Sequence, residues 1–263
     1  MKNKLAIIMP VFNEVDRLPL TFEKISKWLE TKPSNIDLDI NIIDDGSTDG
    51  TVDYLNKFKE FKINIILKKH SGLMSTIFYG CEKVKADFYV LLAADLPVSL
   101  TFLNKFIDHL DDWDIIQGSR YLDHNLNSIS HKRPISRAIL STTLSTLFQI
   151  FFKCEVKDPQ IDFKIFNKRI INQIIPKLKL KHDGLKMTEI LIRAFAEDLK
   201  ILEIKTDYTY TKSNRLVPGI NFKELHSFLF TATSCFLAFI NLIFIYRGEF
   251  KNKNVKKNPL RFL

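Results

Sequence analysis

The sequence predicts an α/β fold in which helices flank a mostly parallel central sheet. Short apolar runs alternate with helical patterns through the first 118 residues. Two of those runs, IIMPVFNE at 7–14 and IIDDGSTDGT at 42–51, stop abruptly at polar groups. A buried parallel strand reads this way where its carboxyl end opens into a ligand crevice. Composition agrees: 263 residues, 46% of them hydrophobic, suffice for one large domain with an appendage and exclude a disordered chain.

Taken in order, strands are expected at 4–9, 38–43, 62–67, 87–93 and 113–117, with helices at 17–31, 50–60, 72–85 and 99–110. The second helix has a clear start, because Ser47 or Asp49 can cap it while Gly46 and Gly50 ease the turn. After residue 118 the regularity fails. A polar loop at 119–134 leads to a helix at 135–153, with Ser and Thr on one side and Leu, Ile and Phe on the other. DPQIDFKIF at 158–166 enters another strand. Helices near 167–176 and 184–197, a strand at 200–205 and a basic loop at 207–221 follow. Residues 1–221 are therefore read as one domain, with a nucleotide-binding half at 1–118 and an acceptor half at 119–221. Residues 222–263 are read as a hydrophobic helix and a basic tail.

Residues 228–246 carry no charge over 19 positions, long enough to be weighed as a membrane helix. Thr231, Thr233, Ser234 and Asn241 weaken a spanning reading. The tail argues likewise: Arg247, Lys251, Lys253, Lys256, Lys257 and Arg261 face only Glu249, and a single crossing would set these bases opposite the main domain. A helix lying in, or re-entering, the cytoplasmic leaflet, its tail on anionic lipid, satisfies both constraints; a buried or dimerising helix is the alternative. The net charge of +9 is thus assigned to a membrane surface and not to nucleic acid. A mean hydropathy of −0.04 excludes a polytopic membrane protein. Cys81, Cys154 and Cys235 form no C-x-x-C pair, so no disulfide frame or zinc site is read and a reduced cytosolic setting fits. The start, MKNKLAIIMP, lacks the apolar core of a signal peptide. Dinucleotide, P-loop and nucleophile-elbow motifs are absent, and the six histidines are scattered without metal-ligand spacing.

At the first strand's end, Pro10 fixes the backbone so that Phe12 and Glu14 project from the tip. An aromatic ring there can stack on a nucleobase, and a carboxylate can accept from base or ribose donors. Asp44 and Asp45 end the second strand, where they either bind ribose and base or simply form the turn before a helix. Arg120 follows the fifth strand, and its planar fork suits phosphate oxygens. Lys132, Arg133, Ser136 and Arg137 cluster at the start of the next helix, where amides and dipole also attract anions.

PVFNE, IIDDGSTDGT, LLAADLP, GSRY and DPQIDFK, in this order, resemble the motifs of family 2 glycosyltransferases with the GT-A, Rossmann-like fold. The likeness is to polyprenyl-phosphate (dolichol-phosphate) mannosyl- and glucosyltransferases and covers residues 4–206. It implies a nucleotide-sugar donor, UDP- or GDP-hexose, held by Pro10, Phe12, Glu14, Ile43, Asp45, Ala94, Asp95 and Arg120. It implies Mg²⁺ or Mn²⁺ at Asp95, a polyprenyl phosphate received by Lys132, Arg133 and Ser136, and catalytic roles for Asp95, Arg120 and Asp158. Lys164 is a candidate for the floor of the site, Glu189 matches an acidic position of the family, and Arg215 and Lys223 lie in the late loop.

Three departures stand out. Phe12 replaces the usual Tyr, Ala93 replaces the first Asp of the family's D-x-D, and Asp162 replaces the Gly of D-x-x-x-G-F-K. The resemblance implies inverting hexose transfer to a polyprenyl phosphate at the cytoplasmic membrane face. An acceptor phosphate, with a second pKa of about 6, needs no general base. Two alternatives stay open. Transfer to a glycan or glycolipid hydroxyl would need a base among Asp158, Asp162, Asp183 and Glu189. A non-catalytic membrane scaffold would explain Ala93.

Overall fold

The computed structural model describes the backbone of residues 2–122, 135–209, 222–251 and 260–262, and their side chains except at 135–139, 222–229, 231, 249–251 and 260–262. Among the described residues eight strands form one sheet in the order β3-β2-β1-β4-β6-β5-β7-β8. They are β1 (Asn3–Val11), β2 (Ile36–Asp44), β3 (Asn64–Leu67), β4 (Phe88–Leu91), β5 (Ile115–Ser119), β6 (Lys164–Asn167), β7 (Ile201–Lys205) and β8 (Leu260–Phe262). The helices are α1 (Leu18–Thr31), α2 (Thr51–Lys57), α3 (Leu73–Lys83), α4 (Thr101–Ile107), α5 (Ile135–Phe152), α6 (Lys186–Ala196) and α7 (Phe222–Lys251).

Alternation along β1 explains the layers. Leu5, Ile7 and Met9 face one side, packing with Leu18, Phe22, Ile25 and Trp28 of α1 and with α4. Ala6 and Ile8 face the other, where α3, α5, α6 and α7 cover the sheet. Gly80 lets α3 approach closely, since a Cβ there would lie 2.7 Å from Cγ1 of Ile43. Both faces are buried, which is why the strands read as continuous apolar runs.

β1 runs parallel to β2 and to β4, so the carboxyl tips of β2, β1 and β4 stand side by side along one edge. β6 runs antiparallel to both β4 and β5. Its direction follows from where the chain re-enters the sheet. Asp158, just ahead of β6, is bonded to Arg120 at the tip of β5, so the chain returns at the edge it left. The strand expected over 158–166 is consequently shorter, and residues 158–163 form the turn that feeds it.

Other expectations are corrected too. Pro10 lies within β1, which continues to Val11. Ile8 gives its carbonyl to the Leu92 amide on the β4 side, and Pro10, two residues on, faces the same way beyond the last β4 pairing. Its missing N–H therefore costs no ladder bond. The helix expected at 167–176 is instead a π-helical turn at Ile170–Ile174 and a 3₁₀ turn at Ile175–Lys177, Pro176 having no amide to continue it. The C-terminal segment packs on the sheet body. α7 buries Ala238, Phe239, Leu242 and Tyr246 against the body, and β8 pairs with β7. Phe230, Phe236, Leu237 and Phe244 of α7 are exposed. Among the described residues no helix is long and apolar enough to cross a membrane.

Candidate active site

The tips of β1 and β2 are tied together by short-range polar contacts. Asn13 has a left-handed backbone, φ 56°. Its amide donates to Ser47 Oγ at 2.9 Å and its side-chain oxygen accepts from the Thr48 amide at 2.8 Å. The Glu14 amide donates to Thr51 Oγ1 at 2.9 Å, and the Glu14 carboxylate pairs with Arg17. Between these contacts the half-buried ring of Phe12 stacks on His70, with centroids 4.4 Å apart and planes 30° from parallel. This forms an aromatic shelf at the crevice edge.

The two aspartates of IIDDGSTDGT have different work. Asp44 forms the turn: its Oδ1 accepts the amides of Gly46 and Ser47, both at 3.0 Å, as the turn-forming alternative anticipates. Asp45 clamps the loop after β3. Its Oδ1 accepts Lys68 Nζ at 2.5 Å and the Ser71 amide at 3.0 Å, while its Oδ2 accepts the Gly72 amide at 3.0 Å and faces His70 Nδ1 at 2.9 Å. Burial alone would raise its pKa, but the Lys68 and Thr76 side chains and those amides outweigh it and hold the carboxyl below its usual range. Asp45, expected against the donor, in this arrangement also ties the loop carrying His70 to the tip of β2.

At the tip of β4 the chain turns sharply. The Leu96 amide reaches the Ala93 carbonyl at 3.1 Å, and Leu96 itself adopts φ 43°. Strain of this kind in a β-branched or bulky residue persists where surrounding contacts enforce it, here the Thr21 hydroxyl bonded to the Ala94 carbonyl. Ala94 is buried. Asp95 projects from this turn, half-buried. Ile43 is fully buried in the core, so its side chain packs α3 and does not reach the crevice.

Beyond β4 the site is built on buried charges. Asp158 is fully buried and grips Arg120 in a fork, from Nε and from Nη2 at 2.7 Å each, and also accepts the Arg120 amide at 3.0 Å. The guanidinium lies 5.1 Å from the Tyr208 ring centre and 5.4 Å from that of Tyr121. This edge of the fork, expected to grip phosphate, is therefore turned to Asp158. Beneath them Glu203 accepts the amides of Lys157 at 2.7 Å and Asp158 at 3.0 Å, and Nε2 of Gln117 at 2.9 Å. Gln117 in turn accepts Lys164 Nζ at 2.6 Å. Lys164 is therefore buried floor, as expected, but under the pair and not at the surface.

Two candidates for a general base are already engaged by the protein. Asp158 is sealed against Arg120, and Glu189 is fully buried, taking the amides of Lys179 and Leu180 and the Tyr246 hydroxyl at 2.6 Å. Lys132, Arg133 and Arg215 lie outside the described residues, as do the side chains of Ser136 and Lys223. Reading the sequence missed Lys68, His70, Gln117 and Glu203. A signal existed for the first two: KKHSG follows β3 and opens α3, at the same edge as the other tips.

With this geometry in place, comparison with known proteins is decisive. A family profile described as glycosyl transferase family 2 matches residues 6–175. The chain belongs to that family. It is thus a glycosyltransferase, as the motifs led one to expect. Dolichyl-phosphate beta-glucosyltransferase of Dictyostelium discoideum is 28% identical over 229 residues, covering 81% of this chain and 69% of the relative. The protein of that name from Saccharomyces cerevisiae is 26% identical over 237 residues, covering 82% and 70%. Among solved structures, glucosyl-3-phosphoglycerate synthase from Mycobacterium tuberculosis, in complex with Mn²⁺, UDP and glucosyl-3-phosphoglycerate, superposes with a TM-score of 0.64 at 12% identity. The match covers 92% of this chain and 80% of that one. Mannosyl-3-phosphoglycerate synthase from Rubrobacter xylanophilus gives 0.56 at 12% identity, over 98% and 79%. These likenesses establish the GT-A fold.

Proposed function

We propose that this glycosyltransferase moves a hexose, with inversion, from a nucleotide sugar to a polyprenyl phosphate of the dolichyl type at the cytoplasmic face of a membrane. The observation that carries the reading is the alignment of the β2, β1 and β4 tips, which sets Phe12, Glu14 and Asp95 along one edge. The relatives named dolichyl-phosphate beta-glucosyltransferase support the acceptor and favour glucose. The exposed apolar residues of α7, with Ile150 and Phe151 of α5, support contact with a lipid surface.

In this reading the Phe12–His70 shelf receives the nucleobase and Glu14 a neighbouring polar group. Among the described residues no three His, Cys, Asp or Glu side chains form a metal cage. A hard divalent ion still fits, because magnesium commonly takes one or two protein carboxylates and completes its shell with water and phosphate oxygen. Asp95 would hold Mg²⁺ or Mn²⁺ against the donor diphosphate. When bound, that ion neutralises charge on the departing nucleotide. The chain's own part is positioning: the strained 93–96 turn aims Asp95, while the Asp158 clamp fixes Arg120 between two tyrosines. Single displacement by an ionised acceptor oxygen inverts the anomeric centre without a general base.

The test is transfer of radiolabelled hexose from UDP-glucose and, separately, GDP-mannose to polyprenyl phosphate in anionic vesicles. The reading expects a labelled lipid from UDP-glucose. Label appearing only on free sugar or on a glycolipid hydroxyl contradicts it.

A further inference from the structure

Ala93 removes one carboxylate from the turn after β4, and Asp162 adds one to the turn before β6. The sheet relates these two changes. β4 and β6 pair antiparallel with Phe88 opposite Asn167, Tyr89 opposite Phe166, Val90 opposite Ile165 and Leu91 opposite Lys164. Two positions outside the last pair, after Leu91 on one chain and before Lys164 on the other, come Ala93 and Asp162. Phe163 is held in place by its carbonyl, which accepts the Gly118 amide at 3.0 Å. On the other side of Asp162, the Ile161 amide closes the turn onto the Asp158 carbonyl.

We infer that Asp162 takes over the role of the carboxylate missing at position 93 and, with Asp95, faces the divalent cation of the donor diphosphate. The inference rests on the metal-dependent reading above and adds a ligand to it. Asp162 is open to solvent while its neighbours Ile161, Phe163 and Lys164 are buried, so its carboxylate points out of the core. A cation would relieve two like charges carried on turns at neighbouring strand ends. Lys164 and Arg120 lie below, already engaged by Gln117 and Asp158.

Direct Mn²⁺ binding tests the assignment, read by electron paramagnetic resonance of free Mn²⁺ with and without UDP. The proteins are the full chain, Asp162→Asn, Asp95→Asn, and the double exchange Ala93→Asp with Asp162→Gly. Supporting contacts around a metal are worth roughly 10–100-fold in affinity, so loss of a direct ligand is expected to weaken Mn²⁺–UDP binding at least tenfold in Asp162→Asn. The double exchange is expected to recover most of that loss, and far-ultraviolet circular dichroism confirms that each variant is folded. Unchanged Mn²⁺ affinity in Asp162→Asn, alongside weakened affinity in Asp95→Asn, overturns the inference and leaves the functional reading intact. Absence of Mn²⁺–UDP binding by the full chain overturns both.

Discussion

The two halves of the sheet handle carboxylates in different ways. On the β3-β2-β1-β4 side, Asp45 is satisfied by two backbone amides and a lysine on a short loop, and it organises the surface where Phe12 meets His70. On the β6-β5-β7 side, Asp158 is wholly enclosed, and its partners are a buried arginine and a second buried carboxylate's network. Both residues look in sequence like ligand-binding acids, and both hold a neighbouring segment in place. Asp95 and Asp162 sit instead on turns, one beside the left-handed Leu96 and the other solvent-open. Motif position alone does not distinguish a clamp from a ligand.

The sharpest way to break this contrast is to remove the enclosed clamp. Asp158→Ala strands a buried guanidinium, and breaking a buried pair from one side costs about 3–5 kcal/mol, so its urea midpoint is expected to fall steeply. A small change would mean that Arg120 finds another partner and that the β5–β6 junction is not clamped as described.

The open half is probed by its aromatic shelf. Phe12→Ala is expected to cost about 1–3 kcal/mol of nucleotide affinity, the usual worth of base stacking, with little change in the unfolding midpoint. Titration calorimetry with UDP reads it. Equal affinity in the variant would remove the shelf from the donor site.

A third effect is in pH. Burial pushes Glu203 up to about 7, against the downward pull of the Lys157 and Asp158 amides and Gln117. The folded protein therefore keeps a proton that the unfolded chain has released, and stability falls as pH rises from about 4.5 to about 7. Burial pushes Lys164 down to about 8 despite Asp158, Asp162 and Glu203, so there the unfolded chain holds the extra proton and stability rises from about pH 8 to 10.5. These two groups predict a stability minimum between about pH 7 and pH 8. Glu203→Gln is expected to flatten the acid limb in urea melts at pH 5, 6 and 7; an unaltered slope would assign the titration to another group.

The strand-and-helix alternation of the first 118 residues was legible because each parallel strand is buried on both faces and ends at polar groups. The β6 reversal was not, since DPQIDFKIF carries no mark of direction; that is set by Asp158 reaching Arg120 across 38 positions. β8 escaped for a similar reason: LRF is too short to stand out from a basic tail and becomes a strand only beside β7. Around the candidate site, the strand-end positions of Phe12, Glu14 and Asp95 could be read from their motifs. The partners of Asp45 could not, because Lys68, Ser71 and Gly72 lie on the next strand's loop.

A crystal soaked with UDP and Mn²⁺ tests the central claim most directly, read by anomalous scattering at the manganese edge. The account predicts uridine against Phe12 and His70 and a manganese peak at Asp95, within coordination distance of Asp162. A nucleotide seated elsewhere, for example in the roughly 420 Å³ cavity between Trp28 of α1 and residues 96–101, with no peak at Asp95, would contradict it.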